Sequence, residues 1–136
     1  ALRNVLRAAQ VFTSGRIITV FGCGGDRDRG KRKAMGRVAV EESGFTIVTS
    51  DNPRKEDPQC IVDDILKGIP SSLDQGKDYE VIVDRKEAIK FAIHQARPGD
   101  LVMIAGKGHE DYQILKAGTV NFDDREVATE VMRRMQ

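Results

Sequence analysis

In Phe45-Thr46-Ile47-Val48-Thr49-Ser50-Asp51-Asn52-Pro53-Arg54 a short apolar run ends abruptly in turn chemistry. Phe45 to Val48 is largely β-branched and follows Gly44, which predicts a short buried strand. Beyond Arg54, Asp57 and Pro58 predict a helix start, with Asp57 as N-cap and Pro58 at the first helical position. Strand, polar turn and helix form the unit of open α/β sheets, which hold ligands at the carboxyl ends of their strands. In this turn Arg54 offers a planar fork suited to a carboxylate. Asn52 adds a donor and an acceptor, and Pro53 fixes a backbone dihedral between them. The same residues make ordinary turns without any ligand. The turn gains weight only from the other strand ends.

The flanking chain repeats the alternation. Leu2, Val5, Leu6 and Ala9 fall at helical spacing and predict an amphipathic helix with those four inward, ending near Ser14-Gly15. Ile17-Ile18-Thr19-Val20-Phe21 predicts the first strand, and the next helix turns Met35, Val38 and Ala39 inward. After the helix carrying Ile61, Val62, Ile65 and Leu66, the stretch from Pro70 to Lys77 reads as a loop. Tyr79-Glu80-Val81-Ile82-Val83 predicts a strand, and Asp84 with Glu87 forms a capping-box pattern for a helix burying Ile89, Ala92, Ile93 and Ala96. Leu101-Val102-Met103-Ile104-Ala105 has the unbroken apolar character of a strand in the middle of a parallel sheet. Tyr112-Gln113-Ile114-Leu115 and Thr119-Val120-Asn121-Phe122 read as short late strands, antiparallel if the Lys116-Ala117-Gly118 turn pairs them. Asp123 or Asp124 caps a last helix with Val127, Ala128, Val131 and Met132 inward. The expected fold is a Rossmann-like, three-layer α/β sandwich with a mostly parallel sheet, right-handed crossovers and a possible antiparallel late strand.

Composition narrows the function classes. The 136 residues suit one domain, and 22 basic against 21 acidic residues give a net charge of +1. That balance offers no global attraction to nucleic acid or to a membrane surface. The apolar runs are too short to span a bilayer, and Cys23 and Cys60 form neither a disulfide framework nor a metal-ligand pattern. The expectation is a reduced, cytoplasmic protein. Its opening at Ala1, already in helical register, suggests a piece of a longer chain.

Two further strand ends carry chemistry. Gly22-Cys23-Gly24-Gly25-Asp26-Arg27-Asp28-Arg29-Gly30-Lys31-Arg32 interleaves glycines, acids and bases. Such a loop suits a polyanion with hydroxyls or a metal, and equally a solvated charged loop. Arg27 stands where a dinucleotide fingerprint needs its third glycine. Gly106-Lys107-Gly108-His109-Glu110 is not a Walker loop, because Gly108 follows the lysine and Leu101 occupies the first glycine position. His109 is either a general base or a residue that orients its loop. Glu110 suits an ammonium ligand or a capping role. His94 reads as an inert surface histidine, and Cys23 has no partner base that would make it a nucleophile.

Together, the glycine-rich loop from Phe21 to Asp28, Asp51-Asn52-Pro53-Arg54, Gly106 to Glu110 and Phe122-Asp123-Asp124-Arg125 resemble the C-terminal domain of the Mur ligase family. The match is to the branch that adds the third amino acid to the peptidoglycan precursor. The resemblance covers nearly the whole chain, with the motifs in order. It implies that residues 1–136 form the amino-acid-binding domain of a larger enzyme whose UDP-binding and central ATPase domains are not in this chain. It also implies an ATP- and Mg2+-dependent, ADP-forming ligase joining meso-diaminopimelate to UDP-N-acetylmuramoyl-L-alanyl-D-glutamate through an acyl phosphate. A lysine-adding ligase and a stand-alone amino-acid-binding module are the alternatives.

By resemblance, Arg27, Asp51, Asn52, Pro53, Arg54, Gly106 and Glu110 bind the amino acid; Asp26, Asp28 and Lys31, on a loop of alternating acids and bases, are candidates for contacting ATP from across the cleft. The resemblance assigns no catalytic residue or metal ligand to this chain, and implies no nucleic-acid or membrane partner. The chain is expected to fold alone without turning over. Lys33 departs from the family pattern, which usually has proline there, and no phosphate loop is present.

Overall fold

The computed structural model describes residues 2–26, 28–106, 112–115 and 118–135. Five helices and six strands follow along them, alternating as far as β4: α1 (Leu2–Val11), β1 (Ile17–Phe21), α2 (Gly30–Glu42), β2 (Phe45–Val48), α3 (Pro58–Leu66), β3 (Tyr79–Val81), α4 (Arg85–Gln95), β4 (Leu101–Ile104), β5 (Tyr112–Leu115), β6 (Gly118–Asn121) and α5 (Asp124–Arg134). β1 to β4 form a parallel sheet in the order β3-β2-β1-β4, and β5 and β6 pair antiparallel as a separate hairpin.

The period-2 alternation of strand side chains feeds two cores. Ile18, Val20, Phe45 and Ile47 pack against Ala88, Ile89 and Ala92 of α4, with Val127 and Ala128 of α5 beside them. On the opposite face, Phe21 and Val48 meet Ala39 of α2 and Ile61, Val62 and Ile65 of α3. Leu6 and Ala9 of α1 cover Ile17, flanked by Leu101 and Met103. Helix, sheet and helix give the three layers expected. The caps hold as read: the Asp57 carboxylate accepts from Gln59 N, Asp84 from Glu87 N and Asp123 from Arg125 N.

Several expectations are corrected. The middle strands are β1 and β2, buried throughout, whereas β4 pairs only with β1 among the described residues and is half-buried. An unbroken apolar run marks an edge strand here because helices cover both of its faces. β3 is only three residues long. Ile82 and Val83 leave strand geometry, although Ile82 N still donates to Val48 O and Val83 O accepts from Ser50 N. Val5 and Met132, read as inward, are 49% and 50% exposed. Both sit at the margin of an apolar stripe, where helical spacing alone cannot fix which residue turns outward.

Candidate functional site at the strand ends

Because β2, β1 and β4 are adjacent and parallel, the three chemically marked strand ends leave the sheet at one edge. The β1 and β2 ends are joined directly. Thr49 N donates to Phe21 O at 2.9 Å, and Gly25 N donates to Asn52 O at 2.7 Å. Asp51, Asn52 and Pro53 are buried, and Arg54 is half-buried with φ +54°. Gly106 follows β4 at φ +115°, a backbone conformation that side chains resist. A methyl on it would lie 3.4 Å from Asp51 Oδ2 and 3.6 Å from Gly22 O, so this turn crosses close to the other two. The structure thus brings Asp51, Asn52, Pro53, Arg54 and Gly106 together. Arg27, Glu110 and His109 lie outside the described residues.

Arg54 and Asp26 are the non-glycine residues with positive φ among those described, and they sit on the two joined turns. Aspartate tolerates this conformation, while for a long side chain it is a local strain held by its surroundings. The holding contacts are visible. Arg54 Nη1 donates to Gly25 O at 3.0 Å and to Asn52 O at 3.3 Å. Those bonds use one corner of the guanidinium. Its Nε–Nη2 edge donates to none of the described residues.

The charges of the glycine-rich loop divide between internal ties and exposed groups. Arg32 is 1% exposed and serves as an internal tie. It donates to both Glu56 oxygens at 2.9 and 3.0 Å, to Asp64 Oδ2 at 3.0 Å and to Gly24 O at 3.1 Å. Arg29 also pairs with Asp64, at 3.1 Å. Asp26 N donates to Glu56 Oε1, and Asp28 Oδ1 accepts from Gly30 N at the start of α2. Asp26, Asp28 and Lys31 are exposed, and Lys31 borders a groove of about 570 Å³ between α1 and α2. Lys33 sits in the first turn of α2, which starts without a side-chain cap on Arg29.

Burial pushes the Cys23 thiol up to about 11, and its Sγ lies 3.6 Å from Met35 Sδ, so it remains a protonated packing group at neutral pH. Arg32, first among the donors around Asp64, holds that carboxyl down at about 2 against an ordinary value of 3.8. Glu56 is lowered for the same reason, through its hydrogen bonds to Arg32 and to Asp26 N. A depressed carboxyl contributes stability above its unfolded pKa, and that contribution is lost as pH falls through the folded value. The melting temperature is therefore expected to drop between about pH 4 and pH 2, and less steeply in Asp64→Asn. Equal slopes in a pH series of thermal melts would remove Asp64 from this role.

Sequence reasoning missed the residues behind the turns. Arg85 is buried at the start of α4, bonded to Asp124 and to the carbonyls of Ser50 and Ala105. Gln113 on β5 donates to Asp51 O at 2.7 Å. The signal for Arg85 lay beside the recognised cap Asp84, and that for its partner inside the Asp123-Asp124 pair.

Fold and strand ends define an open, parallel α/β domain of the class that presents its ligand chemistry at the carboxyl edge of the sheet. Residues 1–108 match the family described as Mur ligase, glutamate ligase domain, and the chain belongs to the Mur ligase family. It is 53% identical over 132 residues to the UDP-N-acetylmuramoyl-L-alanyl-D-glutamate--2,6-diaminopimelate ligase of Syntrophomonas wolfei, covering 97% of this chain and 27% of that protein. The protein of the same name from Trichormus variabilis is 58% identical over 128 residues, covering 94% and 25%. A solved structure of a ligase of that name superposes with a TM-score of 0.91 at 45% identity, over 98% of this chain and 27% of that one. The chain thus spans about a quarter of the length of the relatives it matches. No described helix is long and apolar enough to cross a membrane.

Proposed function

We propose that this chain is the amino-acid-binding domain of an ATP-dependent ligase that adds meso-diaminopimelate to UDP-N-acetylmuramoyl-L-alanyl-D-glutamate in the cytoplasm. The UDP-binding and central ATPase domains belong to the rest of that enzyme, which would act without nucleic-acid or membrane partners. The reading draws on the names of the relatives and on one observation in this chain. Arg54 is fixed by Gly25 O and Asn52 O, and its Nε–Nη2 edge donates to none of the described residues. A fixed, half-buried arginine edge matches a carboxylate bidentately. Diaminopimelate differs from lysine by a carboxylate at the end remote from the reacting amine. An arginine there attracts the one ligand and repels the ammonium of the other.

In this reading Arg27 joins Arg54 in binding carboxylates, and Glu110 receives an ammonium. Asp51, Asn52, Pro53 and Gly106 shape the floor of the pocket. Asp26, Asp28 and Lys31 suit contact with ATP across a domain cleft, since all three are exposed on one loop. ATP with Mg2+ supplies the phosphoryl group that turns the precursor's carboxylate into a better electrophile. This chain's part is positioning the amine and neutralising charge around it.

Competition between meso-diaminopimelate and lysine in the full-length enzyme tests the reading. Wild type is expected to prefer diaminopimelate, and Arg54→Ala to lose roughly tenfold to a hundredfold of that preference, the worth of one hydrogen bond to a charged group. A wild type that prefers lysine, or a mutant that discriminates equally well, would overturn it.

A further inference from the structure

Arg85 and Arg32 are the largest fully buried side chains among the described residues. Arg32 ties the first two loops together; Arg85 spans a wider gap. Its Nε and Nη2 make two 2.7 Å bonds to the two carboxylate oxygens of Asp124, a parallel bidentate pair. Nη1 donates to Ser50 O at 2.9 Å, and Nη2 also donates to Ala105 O at 3.2 Å. Ser50 immediately precedes Asp51, and Ala105 immediately precedes Gly106. β2 and β4 are not neighbours, because β1 lies between them. One planar cation therefore holds carbonyls just beyond the ends of two strands that do not hydrogen-bond to each other. Asp124 opens α5, where the positive end of the helix dipole favours a carboxylate, so the anchor for Arg85 is fixed in turn.

A buried ion pair is weak grounds for stability, since well-packed apolar residues often serve as well. What apolar packing cannot supply is directed bonds to two carbonyls and a carboxylate at once. We propose that the Arg85–Asp124 pair is a positioning device that fixes the Asp51–Arg54 turn and Gly106 relative to each other. In that role it governs the KM for the incoming amino acid. The inference rests on reading those two strand ends as the floor of the amino-acid pocket.

Arg85→Lys keeps the charge and the stem but loses the fork. In the full-length enzyme, followed by phosphate release with saturating UDP-dipeptide, the KM for meso-diaminopimelate is expected to rise about tenfold or more, as misplacement of binding groups does. The KM for ATP is expected to stay unchanged. Arg54→Ala is assayed beside it, and thermal melts confirm folding. A rise in KM with Arg54→Ala but not with Arg85→Lys overturns the positioning role and leaves the pocket reading intact. No rise in either overturns both. A fall in kcat alone, or equal rises for ATP and amino acid, marks Arg85 as merely structural and also overturns the proposal. If Arg85→Lys does not fold, Asp124→Asn, which keeps the shape and one acceptor, is judged by the same KM split.

Discussion

Replacing Arg32 by methionine is expected to lower the unfolding free energy by about 3 kcal/mol, near the low end for removing one member of a buried pair. Arg32 is 1% exposed and its guanidinium serves two carboxylates and a carbonyl. Methionine fills much of the stem volume but leaves Glu56, Asp64 and Gly24 O without that donor. Asp64 retains Arg29 and Lys67, and Glu56 is 23% exposed and can turn to water, which keeps the loss from the upper end of the range. Urea unfolding of the 136-residue chain measures it: the midpoint should fall with an unchanged slope. A double change to Arg32→Met with Asp64→Asn should cost less than the sum of the single changes, because the two side chains share one bond. A loss under about 1 kcal/mol, the scale of an exposed pair, would mean the tie is no stronger than a surface ion pair.

This arginine also shows where sequence reading stops. Arg29, Lys31 and Arg32 are equivalent in sequence, as three bases in one glycine-rich loop. The fold separates them through helix geometry. Arg32 lies two residues into α2 and points at α3, where Asp64 sits in the last turn, while Lys31 faces solvent. Which base is structural depends on the acid that packs opposite, and Asp64 is 32 residues away. Period and propensity carry no information about such a pairing.

What was legible is what is local. Asp57, Asp84 and Asp123 as caps and the alternation of strand and helix are each decided within a few residues. Whether the three strand ends meet depends on strand order, which no local pattern states. The order β3-β2-β1-β4 brings them together. The misplacement of β4 as a central strand has the same root. Hydrophobicity reports that both faces of a strand are covered, not that both of its edges are paired.

The last expected result concerns the contact that unites the first two turns. A methyl on Gly25 would stand 1.8 Å from Pro53 O and 2.5 Å from Pro53 C, both main-chain atoms that cannot rotate away. Gly25 is also held in place on both sides. Its N donates to Asn52 O at 2.7 Å, and its O accepts from Arg54 Nη1 at 3.0 Å. Gly25→Ala must therefore part the two turns and break at least one of these bonds. Overpacking of about 1–3 kcal/mol and a lost hydrogen bond of about 1 kcal/mol predict a total near 3 kcal/mol. The Arg54 guanidinium would lose its anchor in the same movement, so in the full-length enzyme the preference for diaminopimelate over lysine should fall together with stability. Gly30→Ala is the control on the same loop. Its methyl meets only Asp28 Oδ1 at 3.2 Å, and it lies at the first position of α2, where alanine is at least as good a helix former as glycine. The control should melt at or above wild type with discrimination intact. If Gly25→Ala instead melts with the control and discriminates like wild type, the close approach of Gly25 to Pro53 is not what holds Arg54 in place.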